Sequence, residues 1–327
     1  MSNDFAKHFI SGSDIIDRER VIIPFSPKID FIIGGGIQEG SFVVLTGVPK
    51  LGKTTAALTF AASAQNELYS TENYPTGRKV YVYNIEGRIK SRDLVGIKNL
   101  KTDNKHLEVI ESIKGNILYA EDYLDIAEKK INEEPNSIHI IDSFSQLCTR
   151  SRRDADIGDR FRDDTPLLLS NFCKRVANVL PVNDTILIGI THLIANQGQG
   201  MKKWVEASGR KIQYQMDYKL RGTHITPWMN GDTQVGQTVH WECDTSALGP
   251  PGMKCESWLR YGEGIDIYAE TFDICKLLGI ITKKGSWFEF PNGEKVQGFE
   301  KGCDFIKNNP DIFKDLEEQY KKLLFNE

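Results

Sequence analysis

Short apolar runs recur along the first two thirds of the chain, and each is only long enough for one β-strand. They are FVVLTG at 42–47, KVYVYNIE at 79–86, SIHIIDS at 137–143 and TILIGITH at 185–192. Runs that are apolar at almost every position are typical of strands buried on both faces. Because helix-like stretches separate them, the pattern predicts βαβ units and an α/β fold with a twisted, mainly parallel sheet.

The two ends of the chain have other patterns. Residues 1–20 mix apolar and charged positions, which predicts a short arm or helix that packs on another subunit. A helix is expected from about Ile267, followed by a hairpin within 285–299 and two short helices on either side of Pro310. We therefore expect an arm at 1–20, a core at 21–257, and a junction with a small α+β lobe at 258–327.

Composition narrows the class of protein. With 40% hydrophobic and 26% charged residues, the chain is typical of a soluble globular protein. No apolar run approaches the roughly 20 residues that span a bilayer, and the N-terminus lacks a signal-like apolar segment, so we expect a cytoplasmic protein without membrane contact. The net charge of −4 argues against coating nucleic acid through bulk charge, so any DNA site must be local.

A glycine-rich loop follows the first strand and precedes a helical run, and it fits the pattern GxxxxGK[ST]. Its backbone N–H groups can surround phosphates, its lysine can reach the β- and γ-phosphates, and its threonine hydroxyl can bind Mg²⁺. A plain glycine-rich turn is the alternative. The pattern predicts ATP and Mg²⁺ as ligands of Gly47, Val48, Pro49, Lys50, Leu51, Gly52, Lys53, Thr54 and Thr55.

Polar side chains end three of the other predicted strands. Asp142 ends SIHIID and is a second candidate metal ligand beside Thr54, although a helix cap is the common alternative. Glu86 ends KVYVYNIE, where an acid at the carboxyl edge of a parallel sheet could activate water. His192 ends TILIGITH and could sense the γ-phosphate, with a buried core histidine as the alternative. The predicted catalytic set is Glu86, Lys53 and His192.

Basic residues concentrate in two segments that follow predicted strands. The first, at 149–162, carries Arg150, Arg152, Arg153, Arg160, Phe161 and Arg162. The second, at 194–211, carries Met201, Lys202, Lys203, Trp204 and Arg210. Basic groups interleaved with apolar side chains suit phosphate pairing and base stacking, whereas a solvated charged surface is the alternative. The segments are candidate single-stranded DNA loops.

At this point the chain resembles the RecA recombinases over roughly residues 20–325. The resemblance rests on GVPKLGKTT, YNIEGR, IHIIDS, IGD, LIGITH, ASGRK and the late segment LRYGEGIDIYAETFDICKLLGIITKKGSWFEF. The late segment is the most specific, because nucleotide motifs alone are shared with helicases such as DnaB and with KaiC-like proteins. Further DNA contacts implied by the resemblance are Lys174, Arg175, Ser208 and Gly209.

The resemblance implies a function as well as a fold. It implies DNA-stimulated ATP hydrolysis by a protein that assembles head-to-tail into a helical filament on single-stranded DNA and pairs it with a homologous duplex. Loader or single-strand-binding proteins are further candidate partners. A hexameric DNA helicase or translocase and a regulatory ATPase are the alternatives that the same nucleotide motifs allow.

Two departures from the bacterial pattern bear on these expectations. Bacterial RecA has glutamine where this chain has His192, and a histidine there resembles the bacteriophage UvsX branch. We therefore expect a viral protein that acts inside an infected bacterial cell. The family's Lys-x-Lys pair, which reaches a neighbouring subunit's ATP, has no counterpart, and Lys254 is the nearest candidate by position.

Overall fold

The computed structural model describes residues 7–16, 19–156, 164–195, 204–206 and 215–325. Its strands, in chain order, are β1 (Ile22–Ile23), β2 (Ile37–Gln38), β3 (Phe42–Gly47), β4 (Val80–Asn84), β5 (Leu107–Ile110), β6 (Ile138–Asp142), β7 (Ile186–Ala195), β8 (Trp204–Glu206), β9 (Tyr218–Asn230), β10 (Thr233–Thr245), β11 (Lys254–Arg260), β12 (Gly264–Ile265), β13 (Thr282–Lys284), β14 (Trp287–Glu289) and β15 (Lys295–Gln297).

The helices are α1 (Gly12–Ile16), α2 (Pro27–Ile33), α3 (Lys53–Ala64), α4 (Ser91–Val95), α5 (Ala120–Glu133), α6 (Arg150–Asp154), α7 (Thr165–Ala177), α8 (Ile267–Leu277), α9 (Phe299–Asn308) and α10 (Pro310–Phe325). Within the ranges that the structure describes, no helix combines the length and apolar character needed to cross a membrane.

A ten-stranded sheet forms the centre of the molecule. The strands β5, β4, β6, β7, β3 and β9 lie side by side in this order and run parallel. Beyond β9 the sheet continues through β10, β11 and β12 with antiparallel pairing, and the tenth described strand, β8, pairs antiparallel with the end of β7. The predicted α/β fold with a mainly parallel sheet is confirmed.

Helices cover both faces of the parallel part of the sheet. Successive side chains of a strand point to opposite faces, so each strand can contribute to the apolar clusters on both sides. Val43 and Leu45 of β3 join the apolar cluster that contains α2 and α3. Val44, which lies between them, joins the cluster that contains α5 and α7. Because β3, β4, β6 and β7 run parallel, their carboxyl ends lie at the same edge of the sheet, where ligands of such folds bind.

A third apolar cluster lies in the C-terminal part of the chain, where α8, α9 and α10 pack with the small sheet of β13, β14 and β15. Phe272 of α8 is fully buried at its centre, with its ring edge-on to that of Phe288. A Cβ atom on Gly302 would lie 2.4 Å from the ring of Phe272, so the glycine allows α9 to approach α8 closely. This part of the chain thus has its own core.

A buried carboxylate connects this C-terminal part to the main sheet. Glu270 of α8 accepts a hydrogen bond from the backbone N–H of Lys28 at 2.9 Å and another from the hydroxyl of Ser257 on β11. Burial raises the pKa of Glu270 to about 7 and also raises the pKa of Asp30 well above its usual range. The folded protein therefore holds a proton on Glu270 that the unfolded chain releases near pH 4.5.

Glu270→Gln is expected to change how stability depends on pH. Between about pH 4.5 and 7 the folded parent binds a proton that the unfolded chain has lost, so its free energy of unfolding falls as pH rises through this window. The variant has no titrating group at this position. Its free energy of unfolding, relative to that of the parent, should therefore rise by up to about 3 kcal/mol between pH 5 and 8. Urea unfolding at both pH values measures the difference, and parallel pH profiles for the two proteins would contradict the prediction.

Candidate nucleotide site and adjacent basic segments

The glycine-rich loop connects the carboxyl end of β3 to the first turn of α3. Lys50 and Gly52 adopt left-handed backbone conformations, with φ of 63° and 97°, and these produce sharp turns within the loop. The side chain of Gln237 on β10 supports the loop by donating to the backbone oxygen of Leu51 at 3.2 Å. The N-terminus of α3 therefore faces the centre of the loop, an arrangement that favours anionic ligands.

Lys53 lies inside this loop with its side chain almost fully buried. Its Nζ donates to the backbone oxygens of Gly47 at 3.0 Å and Val48 at 2.9 Å. Burial lowers the pKa of Lys53 to about 8, and the negative charges of Asp142 and Glu86 oppose that effect. A bound phosphate would supply a much closer counter-charge, so the loop is electrostatically suited to an anion.

Two oxygen donors lie next to the loop. The hydroxyl of Thr54 donates to Oδ2 of Asp142 at 2.6 Å, so the residues that sequence analysis assigned to Mg²⁺ are in direct contact. Burial raises the pKa of Asp142, and the charge of Glu86 raises it further. Among the residues described, no three His, Cys, Asp or Glu side chains converge on one point. This donor set fits Mg²⁺, which takes most of its ligands from phosphates and water.

Glu86 and His192 are hydrogen-bonded across two strand ends. His192 Nε2 lies 2.6 Å from Glu86 Oε1, and the hydroxyl of Ser143 donates to the same oxygen at 2.9 Å. An ionised carboxylate only accepts, so Nε2 carries the hydrogen. The bond from His192 and that from Ser143 lower the pKa of Glu86, which keeps it ionised at neutral pH. Glu86 Oε2 takes part in neither of these bonds and lies 3.8 Å from Nε of the exposed Arg88.

A cavity of about 660 Å³ lies beside Glu86 at this edge of the sheet. Thr54, Glu86 and Asp142 line one part of it, and Arg260 and Tyr261 line another. The volume is in the range of pockets that hold nucleotide-sized ligands. Sequence analysis did not assign Arg260 or Tyr261 to the site, although the YGEGI motif contains Tyr261.

Five of the basic residues predicted to contact DNA lie on two helices that follow β6. Arg150, Arg152 and Arg153 are on α6, and Lys174 and Arg175 are in the last turn of α7. The guanidinium of Arg150 pairs with Asp122 and lies over the ring of Tyr119. That of Arg175 pairs with Glu128 at 2.7 Å. Part of this basic charge is therefore matched by acids of α5.

Of the predicted DNA contacts in the second basic segment, Trp204 is among the described residues. It begins β8, whose backbone pairs with the end of β7. Lys254, the candidate cation for a neighbouring subunit's ATP, lies at the start of β11 with its Nζ 3.6 Å from Glu242. The following predicted contacts lie outside the residues that the structure describes: Arg160, Phe161, Arg162, Met201, Lys202, Lys203, Ser208, Gly209 and Arg210.

Two family models match this chain. The RecA C-terminal domain model matches residues 269–324, and a model of the AAA domain matches residues 19–163. Curated relatives named Protein RecA align with 90% or more of the chain. The chain is therefore similar to RecA proteins over most of its length, and its C-terminal part matches their C-terminal domain.

These RecA relatives come from different bacteria. The protein of a Sulfurovum species is 27% identical over 300 residues, which cover 90% of this chain and 81% of the relative. That of Bifidobacterium breve is 26% identical and covers 95% of this chain and 75% of the relative. That of Clostridioides difficile is 26% identical and covers 90% and 80%. The chain is therefore similar to these bacterial RecA proteins along most of its length, at low identity.

Proposed function

We propose that this protein is an ATP-dependent recombinase that assembles on single-stranded DNA and pairs it with a homologous duplex. The observation that carries the proposal is the presence, in one chain, of the nucleotide site just described and a RecA C-terminal domain match at 269–324. Nucleotide motifs alone are shared with other ATPases, whereas this C-terminal match favours a recombinase over a helicase or a regulatory ATPase.

ATP would bind along the cavity with its phosphates in the glycine-rich loop. Lys53 would face the β- and γ-phosphates, and Thr54 and Asp142 would hold Mg²⁺, which neutralises phosphate charge when bound. Glu86 is ionised and directs Oε2 away from its two hydrogen bonds, so this oxygen can orient and deprotonate a water molecule. These assignments give a role to each of Lys53, Thr54, Asp142 and Glu86.

His192 would couple the nucleotide to DNA. It lies on β7 at the level of Gly47 of the glycine-rich loop, and the second basic segment follows this strand. A γ-phosphate beside Glu86 and His192 would hold the end of β7, and with it this segment, in a DNA-binding arrangement. Hydrolysis would release it, as in other NTPases that use order–disorder switches.

Single-stranded DNA would contact the two basic segments. The exposed Arg152 and Arg153 of α6 and the lysines at 202 and 203 would pair with phosphates, and Trp204 would stack on a base. Arg150 and Arg175 would first exchange their carboxylate partners for phosphates. Local contacts of this kind are compatible with a net charge of −4.

Assembly would proceed head-to-tail through the N-terminal arm at 1–20. In its described part, Phe9 is 84% exposed and Ile10 and Ile15 are more than 60% exposed. Apolar side chains this exposed are suited to packing on a neighbouring copy. A contact between unlike surfaces of identical subunits generates an open filament unless the rotation closes a ring.

The histidine at position 192 supports a more specific proposal. Because it resembles the bacteriophage UvsX branch rather than bacterial RecA, we propose a viral recombinase that acts in the cytoplasm of an infected bacterium. Low identity to bacterial relatives, 26–27%, is compatible with such a branch.

Electron microscopy with ATP and single-stranded DNA tests the proposed function. Open helical filaments on the DNA are expected, together with strand exchange between that DNA and a homologous duplex. Closed rings would instead support a hexameric helicase or translocase. Neither assembly, in a preparation that binds ATP, would support a regulatory ATPase.

Alanine at Arg152, Arg153, Lys202 and Lys203 is expected to weaken binding of single-stranded DNA and to reduce its salt dependence. Each lost phosphate contact removes about 0.7 from the slope of log affinity against log salt for single strands. Fluorescence anisotropy at several salt concentrations measures this slope, and ATP binding without DNA controls for folding. An unchanged slope would mean that these residues are only solvated surface.

A further inference from the structure

The strand β6 leaves the sheet earlier than its neighbour. Its pairing with β7 ends at Ile141 and Gly189, whereas β7 continues to Ala195. On this vacated side, the backbone N–H of His192 donates to Oγ of Ser145 at 2.8 Å. The Ser145 hydroxyl therefore replaces the strand partner that β6 no longer provides.

The turn that carries Ser145 is fixed against β7. Phe144, which precedes it in a short 3-10 turn at 144–146, is buried. A Cβ atom on Gly189 of β7 would lie 2.0 Å from the Phe144 ring, so the glycine lets the ring approach the strand this closely. Ser145 is thus presented to His192 from a rigid turn.

The same turn also contacts Glu86. Ser143 donates to Glu86 Oε1, and the ring of His192 bonds to that oxygen as well. Two hydroxyls two residues apart therefore hold both partners of the Glu86–His192 bond, one through the carboxylate and the other through the backbone. The four residues form a closed chain of contacts over the ends of three adjacent strands, β4, β6 and β7.

We infer that Ser145 is a positioning residue for ATP hydrolysis, which acts by fixing the end of β7 so that His192 holds Glu86 with Oε2 toward the cavity. This inference rests on the proposed role of Glu86. Without the hydroxyl, the N–H of His192 has no partner on that side, and the strand end must move to find one. A small displacement of a base-orienting group is costly for turnover, because the attack geometry is lost while the phosphate contacts remain.

The test compares Ser145→Ala with Ser145→Thr, which keeps the hydroxyl. Ser137→Ala is the matched control, since Ser137 is buried near the opposite end of β6 and its hydroxyl bonds to Glu134 and His139. We expect Ser145→Ala to lower the kcat of ATP hydrolysis at least about 10-fold, with KM for ATP within about twofold of the parent. Ser145→Thr should restore most of kcat, and Ser137→Ala should retain it.

A kcat of Ser145→Ala within about twofold of the parent overturns the inference, as does a loss of kcat that threonine fails to restore. A matching rise in KM would show that the nucleotide loop itself is disturbed and would also overturn it. These outcomes are separate from the fate of the proposed function. If the parent hydrolyses ATP but forms no filament on single-stranded DNA, the recombinase proposal fails, and the Ser145 comparison still decides the positioning role.

Discussion

Glu86→Gln is expected to slow ATP hydrolysis at least about 100-fold while leaving ATP binding nearly unchanged, which is the scale for loss of a general base. The substitution preserves the size of the side chain and an oxygen that can accept from His192 and Ser143, as Glu86 Oε1 does now. It removes the negative charge, and with it the ability of the other side-chain position to take a proton from water. If hydrolysis drives release from DNA, filaments of this variant should also persist longer.

Glu111 offers a matched control for this experiment. It follows β5, the neighbour of β4 at the same sheet edge, and its carboxylate accepts from Asn84 at 2.7 Å. Glu111→Gln therefore changes the charge near the site without touching the Glu86–His192 bond, and turnover should stay within about threefold of the parent. Steady-state hydrolysis and fluorescent-nucleotide binding measure both variants. Normal turnover of Glu86→Gln would move the base to another residue.

The parallel part of the fold could be predicted from sequence because its strands are buried on both faces. FVVLTG is apolar at nearly every position, and it forms β3 with the predicted bounds. The long antiparallel pair β9 and β10 was not predicted. In β10, Val239, Trp241 and Cys243 are buried, whereas the residues between them are partly exposed. Such alternation, interrupted in β9 by Gly222 and Pro227, gives a much weaker signal than a continuous apolar run.

The site divides along similar lines. The glycine-rich loop is a local pattern, so its residues could be named from sequence, and Glu86, Asp142 and His192 could be named because each ends a recognisable strand. Ser143 and Ser145 carried no such signal, since their roles depend on contacts with strands about 50 residues away in the chain. Arg260 and Tyr261 line the cavity although β9 and β10 separate β11 from β3 in the sheet, and this arrangement depends on the antiparallel pairing that was not predicted.

Lys53→Ala is the prediction with the largest expected effect. Lys53 Nζ donates to two backbone oxygens of the glycine-rich loop, and Asp142 and Glu86 favour its charged form against the cost of burial. The loop contains two lysines, of which Lys53 is buried and Lys50 is exposed. The buried ammonium of Lys53 is therefore the one that bound phosphates would meet inside the loop. Its loss leaves the charge that develops on the phosphates to Mg²⁺ and backbone N–H groups.

We therefore expect Lys53→Ala to reduce ATP hydrolysis more than about 1,000-fold and to abolish ATP-dependent tight binding of DNA. Lys53→Arg separates charge from geometry: it keeps the cation but cannot place a compact ammonium against the Gly47 and Val48 oxygens, so nucleotide binding should partly survive while hydrolysis stays low. Thermal unfolding without nucleotide should show both variants folded, because the lost bonds lie in the loop at the N-terminal end of α3 rather than in the apolar clusters. Retained hydrolysis in a folded Lys53→Ala protein would overturn the assignment of the loop as the ATP site, and with it the role given to Glu86.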